Sequence, residues 1–414
     1  MNDFSKLNLS TPILRAIASE NYTTPTPIQE KTIPIILDGR DVLGCARTGT
    51  GKTAAFLLPI LERLAEQPIH EHRVIRSLIL SPTRELAAQI ADNCSKYAQF
   101  LPIRHLVIFG GVKQNIQVNQ LRSGIDVLIA TPGRLLDLQG QGFISFDSIS
   151  FFVLDEADRM LDMGFIPDIK KILKLLPRER QNLLFSATMP ANIVSLADRF
   201  LTDPVKIEVD PQSTTVEQIS QKVMFVAQSD KKKLLNHIIL TQKCYASIVF
   251  TRTKHGANRV VTSLEKAGIK SAAIHGNKSQ NARTKALHRF KSGDIQVLVA
   301  TDIASRGIDV DGVSHVFNFD LPNVSESYVH RIGRTARAGA SGSAIAFCSE
   351  EESQLLWDIE QLIGQKIPEE HDHEWHSYKA LQELLIIRVR REQRIKKTNK
   401  KSRKRRRFPY RRNR

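Results

Sequence analysis

The chain has 414 residues, of which 41% are hydrophobic, and it carries a net charge of +17 at neutral pH. This length is enough for two domains that each bury a core. No run of about 18 apolar residues occurs, so we expect no membrane-spanning helix, and the polar residues 1–10 do not resemble a secretory signal. The four cysteines lie far apart, which argues against zinc sites and disulfides and for reduced thiols in a cytoplasmic protein.

The positive charge is concentrated at the C-terminus. Residues 388–414 contain 16 Lys and Arg but one acidic residue, Glu392, so these 27 residues carry +15 and the other 387 carry +2. Because such a composition cannot build a core, we expect a disordered polybasic tail from residue 388 onward. We also expect this tail to tether nucleic acid, although an acidic protein or a membrane surface would meet the same charge.

Short apolar runs alternate with helical patterns along most of the chain. Continuous apolar strands separated by helices indicate parallel sheets covered by helices on both faces. The pattern is interrupted between residues 203 and 218, where two Asp-Pro pairs occur. We therefore predict an α/β fold of two tandem parallel-sheet domains, with a linker near residues 208–216. The candidate strands are residues 41–45, 77–80, 106–109, 127–130, 151–154, 183–185, 223–226, 247–250, 271–274, 297–300, 315–319 and 343–347.

A glycine-rich segment follows the first candidate strand. It fits the phosphate loop G-x-x-x-x-G-K-[ST], in which backbone N–H groups face phosphate oxygens. Lys52 would add a positive charge near the outer phosphates, and Thr53 would add a hydroxyl ligand for Mg²⁺. A helix starting here would direct the positive end of its dipole at the anion. The segment reads Ala46, Arg47, Thr48, Gly49, Thr50, Gly51, Lys52 and Thr53.

A second segment delivers acidic side chains to the end of a buried strand. Val153 and Leu154 are followed by Asp155, Glu156, Ala157 and Asp158. Asp155 would hold Mg²⁺, and Glu156 would orient or deprotonate a water molecule. The two segments, in this order, predict an enzyme that hydrolyses a nucleoside triphosphate.

These motifs, with others in order around them, resemble the DEAD-box ATP-dependent RNA helicases, a family named for the residues at 155–158. The resemblance covers residues 4–368. Residues 159–165 and 250–257 are most similar to the bacterial RhlE-type branch. The resemblance implies two RecA-like domains, ATP and Mg²⁺ as cofactors, and RNA as the partner.

The resemblance also assigns residues to the nucleotide. Gln29 would bond the adenine edge and Phe4 would pack on the adenine ring, while Asp309 would contact the ribose. Ser186 and Thr188 would bond carboxylates near Asp158 and couple hydrolysis to strand separation.

The second half of the chain would contribute arginines to the reaction. Arg334 and Arg337 lie three residues apart, so on a helix they would share a face. The resemblance implies that both guanidinium groups stabilise charge on the γ-phosphate when the domains close. His330 would link the two domains by hydrogen bonding.

Threonine, arginine and glycine residues that follow the strands would grip RNA. Such groups suit phosphate oxygens and few of them can read base edges, so we expect binding with little sequence preference. Selection of RNA over DNA through the 2′-OH is implied by the family. The residues are Thr83, Arg84, Gly110, Gly111, Thr131, Arg134, Gln280, Arg283 and Thr301.

The predicted organisation is an adenine-reading segment (residues 1–32), an ATP-binding domain (33–208), a C-terminal helicase domain (217–368), an extension (369–387) and the polybasic tail (388–414). The predicted function is local unwinding of short RNA duplexes by a monomer, in ribosome assembly or RNA turnover. Two alternatives stay open at this stage. One is a DNA helicase, and the other is an RNA-annealing chaperone that does not unwind.

Overall fold

The computed structural model describes residues 3–46, 49–67, 73–209, 219–242, 244–302, 313–335 and 342–405, with side chains as far as residue 391. Residues 3–209 belong to one compact unit. The described residues from 219 onward belong to a second unit. Each unit is an α/β domain built on a parallel sheet of seven strands.

The first sheet has the strand order β3-β4-β2-β5-β6-β1-β7, with every neighbouring pair parallel. Its strands are β1 (Val42–Cys45), β2 (Ser77–Leu80), β3 (His105–Ile108), β4 (Val127–Ala130), β5 (Phe151–Leu154), β6 (Gln181–Ser186) and β7 (Val205–Glu208). The helices are α1 (Thr11–Ser19), α2 (Pro27–Leu37), α3 (Lys52–Glu66), α4 (Arg84–Tyr97), α5 (Gln114–Arg122), α6 (Pro132–Gly140), α7 (Ala157–Asp162), α8 (Ile166–Leu175) and α9 (Ala191–Ala197), and a 3₁₀ turn covers Phe4–Leu7.

The second sheet has the order β10-β11-β9-β12-β13-β8-β14, again all parallel. Its strands are β8 (Ile219–Phe225), β9 (Ser247–Phe250), β10 (Ser271–Ile274), β11 (Val297–Ala300), β12 (His315–Asn318), β13 (Gly342–Cys348) and β14 (Glu369–Glu370). The helices are α10 (Lys231–Thr241), α11 (Lys254–Lys266), α12 (Gln280–Lys291), α13 (Ser325–Ile332), α14 (Ser353–Ile363) and α15 (Tyr378–Arg405), and a 3₁₀ turn covers Glu350–Glu352.

Burial on both faces explains why the strands are continuously apolar. In β5, Phe151 and Val153 join the core on one face of the sheet, whereas Phe152 and Leu154 join the core on the other. Successive side chains of a strand point to opposite faces, so a sheet covered on both sides needs apolar residues at every position. The predicted fold class is therefore confirmed, and strand ends such as those of β2, β4 and β11 match the sequence predictions to the residue.

The C-terminal helix differs from the sequence prediction. The sequence predicts a disordered tail from residue 388 onward, but α15 begins at Tyr378 and continues to Arg405. The predicted start of the tail also has to move, because Arg388 is buried. It donates two hydrogen bonds to Glu360, at 2.9 and 3.0 Å, and one to Glu369 at 2.9 Å. In the described part of the chain, no helix is long and apolar enough to cross a membrane.

Candidate nucleotide-binding and catalytic site

The phosphate-loop segment lies at the carboxyl end of β1, between that strand and α3. A Cβ atom on Gly44 would lie 2.7 Å from the Phe185 ring, so only glycine lets β1 pack beside β6 here. Gly49 and Gly51 have φ of 85° and 88°, a left-handed backbone that other residues adopt with strain. The loop therefore turns sharply into a helix that starts at Lys52. Arg47 and Thr48 lie outside the described residues.

Lys52 is buried at the start of α3, with Thr53 next to it in the first turn. Its Nζ donates a hydrogen bond of 2.7 Å to the carbonyl oxygen of Ala46, across the loop. The positive charge of Lys52 also lowers the pKa of Asp155, against the effect of burial. The lysine thus bonds to the loop backbone and interacts electrostatically with the acidic segment.

Gln29 lies in the first turn of α2 and connects this helix to the loop. Its Oε1 accepts a hydrogen bond from the Thr26 backbone N–H (2.9 Å), and its Nε2 donates to the carbonyl oxygen of Gly51 (3.1 Å). A Cβ atom on Gly51 would collide with this amide. The sequence predicts an adenine contact for Gln29 but not this tie to the loop. The available signal was the Thr-x-x-Gln capping pattern at the start of a helix.

Phe4 lies in the 3₁₀ turn at the start of the described chain and packs within the core cluster of the first unit. Only 3% of its surface is exposed. Asp3 precedes it and accepts a hydrogen bond from the Ser5 backbone N–H at 3.3 Å. This geometry fixes the N-terminal segment against the domain. Asp309, the predicted ribose contact, lies outside the described residues.

Asp155 follows β5 and is buried with an unsatisfied oxygen. Among the described residues, its Oδ1 has no hydrogen-bond partner. Burial and, less strongly, the charge of Glu156 raise the pKa of Asp155 while Lys52 lowers it, and together these effects bring the pKa to about 7. A buried carboxylate oxygen without a partner is costly unless a cation or donor satisfies it. Mg²⁺ prefers oxygen ligands of this kind. The residues present therefore fit a magnesium ion held by Asp155 and by Thr53, which lies in the first turn of α3.

Glu156 adopts a left-handed backbone conformation with φ of 53°, immediately before α7. Non-glycine residues in this region are uncommon and tend to occur at functional sites. Its Oε2 accepts a hydrogen bond of 2.7 Å from Nη1 of Arg159, and both side chains are almost fully buried. The sequence singled out Glu156, but it gave no role to Arg159.

Asp158 is connected to the end of β6. Its Oδ2 accepts hydrogen bonds from the backbone N–H and the Oγ1 hydroxyl of Thr188, both at 3.0 Å. The Asp158 backbone N–H donates to Oγ of Ser186 (3.2 Å), and that hydroxyl donates to the Thr188 carbonyl (2.7 Å). The structure therefore brings Asp158, Ser186 and Thr188 together. The Thr188 hydroxyl bonds the Asp158 carboxylate, as the resemblance implies, whereas the hydrogen bonds of the Ser186 hydroxyl are to backbone groups. A movement of the segment after β6 would therefore displace the acidic segment as well.

The candidate RNA-binding residues of the first unit follow β2, β3 and β4. Thr83 caps α4 by accepting the Leu86 backbone N–H at 3.3 Å. The guanidinium group of Arg84 lies against Gly110 and Gly111, where a Cβ atom on Gly111 would collide with it. Thr131 precedes the first residue of α6, and Arg134 donates to Oε1 of Gln117 at 3.1 Å. These side chains lie at the carboxyl ends of neighbouring parallel strands, so they share one edge of the sheet.

The candidate residues of the second unit are similarly placed at strand ends. Gln280 and Arg283 are buried in the first turns of α12, and Thr301 directly follows β11. His330 lies in the last turn of α13.

Arg334 differs from its predicted setting. Helix α13 ends at Ile332 and Gly333 caps it, so Arg334 lies after the helix and not on it. Thr335 forms a β-bridge with Val313, and its Oγ1 donates to the Val313 carbonyl at 2.5 Å. These contacts stop the helix from continuing. The prediction that Arg334 shares a helical face with Arg337 is therefore wrong for Arg334. Arg337 lies outside the described residues.

Arg331 organises the carboxyl edge of the second sheet, which the sequence did not predict. It donates to both carboxylate oxygens of Asp302 (2.6 and 2.8 Å), to Oδ1 of Asn318 (2.9 Å) and to the Asp320 carbonyl (2.7 Å). A planar guanidinium group held in this way by two strand ends fixes their relative positions. The sequence signal was an arginine within the segment 330–337 and an aspartate directly after a strand.

A buried ion cluster lies at the same edge. Lys231 is the first residue of α10. Its ammonium group donates to Glu352 and to the Phe319 carbonyl (2.7 Å), and it lies 3.5 Å from Oδ1 of Asp320. Glu352 also accepts from Arg252 at 2.8 Å. Charge inside this unit is therefore compensated by the chain's own side chains.

Known proteins resemble this chain over most of its length. The family described as "DEAD/DEAH box helicase" matches residues 26–196, and "Helicase conserved C-terminal domain" matches residues 230–339. The chain is 42% identical over 370 residues to the ATP-dependent RNA helicase RhlB of Pseudomonas syringae pv. tomato, covering 88% of this chain and 93% of that protein. It is also 42% identical to the DEAD-box ATP-dependent RNA helicase CshA of Bacillus subtilis, covering 88% of this chain and 73% of that protein.

A solved structure shares the fold of both units. S. cerevisiae Dbp5 bound to RNA and ADP BeF3 aligns with a TM-score of 0.79 and 30% sequence identity, covering 89% of this chain and 96% of Dbp5. The RhlE-type branch suggested by the sequence stays a prediction, because the relatives compared are RhlB and CshA proteins.

Proposed function

Because the chain belongs to the DEAD-box family of ATP-dependent RNA helicases, we propose that it couples hydrolysis of Mg-ATP to local opening of short RNA duplexes or to remodelling of RNA–protein complexes. The observation that carries this proposal is the buried Oδ1 of Asp155, which has no hydrogen-bond partner among the described residues, together with the buried Lys52 at the start of α3. The carboxylate suits a cation and the lysine suits a triphosphate, and both residues lie at the carboxyl edge of the first sheet.

The residues of the first unit have separate roles in hydrolysis. Lys52 and the backbone of the loop at Gly49 and Gly51 bind the phosphates. Asp155 and Thr53 would hold Mg²⁺, which would supply positive charge to the triphosphate. Glu156 orients a water whose oxygen attacks the γ-phosphorus. The bond from phosphorus to the β–γ bridging oxygen breaks, ADP and phosphate leave, and the proton of the water passes by way of Glu156 to solvent.

The remaining nucleotide contacts give preference for ATP and respond to the second unit. Gln29 reads the adenine edge, Phe4 supports the adenine side of the site and Asp309 contacts the ribose. Arg334 and Arg337 stabilise charge on the γ-phosphate in the state that binds ATP and RNA together, because each ligand favours that state. His330 takes part in the same coupling.

RNA is bound through its backbone by the strand-end residues of both units. The arrangement of Arg84 against Gly110 and Gly111 supports this role, since guanidinium and glycine N–H groups suit phosphate oxygens. We place the enzyme in the cytoplasm as a monomer, acting in ribosome assembly or RNA turnover. The proposed domain limits are residues 33–208 and 217–368.

The test is ATP turnover by the full chain without nucleic acid, with single-stranded RNA, and with DNA of the same sequence. Strong stimulation by RNA alone is expected. Equal stimulation by DNA would overturn the assignment of RNA as the substrate. RNA annealing without ATP, together with no stimulated turnover, would identify a chaperone. Glu156→Gln is the matched variant, which keeps the size of the side chain and should bind ATP but stall turnover. Native turnover by Glu156→Gln would remove Glu156 from the mechanism.

A further inference from the structure

Arg159 makes a close contact with the proposed water-orienting carboxylate. It lies in α7, three residues after Glu156, and its Nη1 donates to Oε2 of Glu156 at 2.7 Å. The exposed fractions of the two side chains are 1% and 3%. Water is therefore excluded from this ion pair, and the guanidinium group is a fixed neighbour of the carboxylate.

The surroundings of Arg159 hold it rigidly but do not satisfy it. Its backbone N–H donates to Oδ1 of Asp158 at 3.0 Å, which ties the residue to the carboxylate that Thr188 also binds. Its Nη2 has no partner among the described residues. A buried ion pair is a weak way to stabilise a fold, because both charges lose their hydration and one guanidinium nitrogen here gains nothing in return.

Glu156 shows a second unfavourable feature at the same place. Its left-handed backbone directs the side chain toward the start of α7, where Arg159 lies one helical turn later. Two costly features thus converge on a single carboxylate, and together they restrict its orientation. Neither feature is a favourable way to stabilise the fold, and both fix the carboxylate in place.

We propose that Arg159 is a positioning residue for ATP hydrolysis, which holds Oε2 of Glu156 so that the other carboxylate oxygen is directed at the attacking water. This inference rests on the role proposed above for Glu156. Arg159 touches neither ATP nor RNA and acts on turnover through Glu156. Its removal therefore slows the hydrolysis step without weakening either ligand.

The first test compares Arg159→Met and Arg159→Lys with the native chain at saturating RNA. Met replaces the guanidinium group with an apolar side chain of similar size and so releases Oε2 of Glu156 from its partner, while Lys keeps the charge. Misorienting a reacting group by about 1 Å can cost about a hundredfold, so Arg159→Met is expected to lower kcat by roughly ten- to a hundredfold. The KM for ATP and the RNA affinity stay within about twofold, and Arg159→Lys recovers part of kcat. Unchanged kcat in Arg159→Met overturns the proposal.

The second test repeats the substitution in the Glu156→Gln background by single-turnover hydrolysis. If Arg159 acts through Glu156, Arg159→Met costs the double variant less than about twofold further, a strong coupling between the two sites. An equal fold loss of hydrolysis in both backgrounds would show that Arg159 has only a structural role and would overturn the inference. The proposed function would remain intact in that case, provided that Glu156→Gln still stalls turnover. Should Arg159→Met fail to fold, Arg159→Lys carries the same cycle.

Discussion

The acidic segment after β5 contains side chains that the surrounding fold has to hold in unfavourable states. Asp155 is buried, and one of its oxygens has no partner in the part of the chain that the structure describes, while Glu156 has a left-handed backbone. Both residues could be predicted as functional from the sequence, because carboxylates at the end of a buried strand serve no packing purpose. Their local partners could not, since the contact of Arg159 with Glu156 depends on that single backbone torsion.

Asp155 should make the stability of the metal-free protein depend on pH. The pKa of Asp155 is raised from 3.8 to about 7 by burial, so the folded state keeps a proton that the unfolded chain releases. Stability contributed by this group therefore falls as pH rises through that interval and stays low above it. Asp155→Asn is expected to raise the melting temperature in EDTA above neutral pH and to reduce its pH dependence.

The control for this prediction is Asp203→Asn, whose side chain is 97% exposed. It should leave the pH dependence of thermal unfolding unchanged. A lower melting temperature of Asp155→Asn than of the native chain, at acidic and at alkaline pH alike, would contradict the prediction.

Gly111 should matter for RNA because of the side chain beside it. It has φ of 84°, and a Cβ atom there would collide with the guanidinium group of Arg84. Gly111→Ala is expected to displace Arg84 and weaken binding of single-stranded RNA by about tenfold, since a hydrogen bond to a charged group contributes about 1.5 kcal/mol. Fluorescence anisotropy of a labelled oligonucleotide measures this loss.

Gly142 provides the matched comparison for Gly111. Its φ is 78°, but no atom lies within 4 Å of the position a Cβ would take. Gly142→Ala therefore introduces similar backbone strain without moving a neighbour. Equal RNA affinity for the two alanine variants would mean that the position of Arg84 has no part in binding.

At the scale of elements, the sequence predicts strands with an apolar run well and misses β7 and β14. β4 is apolar at every position, and β2 at every position after Ser77, because both faces of the sheet are covered. β7 contains exposed residues and β14 has two residues, so neither has a continuous apolar signal. These two strands gain their stability from backbone pairing with a neighbour, which leaves no pattern in the sequence.

The anchoring of α15 separates two effects of removing the C-terminus. Deletion of residues 392–414 should weaken RNA binding and reduce its salt dependence, because each phosphate contact on a single strand contributes about 0.7 to the slope of log affinity. RNA-saturated ATP turnover should change little. Titrations over a range of salt concentrations measure the slope, and equal slopes with and without these residues would exclude the tail from RNA binding.

Deletion from residue 388 should also destabilise the second unit. It removes Arg388 and leaves Glu360, which is 3% exposed, without its partner. Breaking a buried ion pair from one side typically costs about 3 kcal/mol. Arg388→Met in the full chain should reproduce the loss of thermal stability while retaining most of the salt slope. If Arg388→Met melts like the native chain, the anchor does not stabilise the unit.

Considered as a whole, the molecule consists of two units with the same strand order. β1 to β7 and β8 to β14 occupy equivalent positions in their sheets. Two α/β domains could be predicted from the interrupted pattern of apolar runs, but the common order could not, because it depends on which distant strands pair. By this equivalence, Lys231 at the start of α10 corresponds to Lys52 at the start of α3.

The two lysines should therefore respond differently to substitution. Lys52→Met should abolish ATP binding with little change in melting temperature, because its hydrogen bond is to a single backbone carbonyl. Lys231→Met should lower the melting temperature markedly, since it leaves Glu352 short of a partner inside the core. Nucleotide binding by the folded protein and thermal unfolding distinguish the two outcomes. Equal destabilisation by both variants would contradict this difference.

The shared strand order also has a historical meaning. Two copies of one seven-stranded unit in a single chain are what duplication of an ancestral segment, followed by divergence, would leave behind. In the first copy the lysine faces a loop suited to an anion from outside the protein, whereas in the second copy Glu352 supplies that negative charge permanently. The first copy thus leaves its lysine available to an external anion, whereas the second pairs its lysine with a side chain of its own.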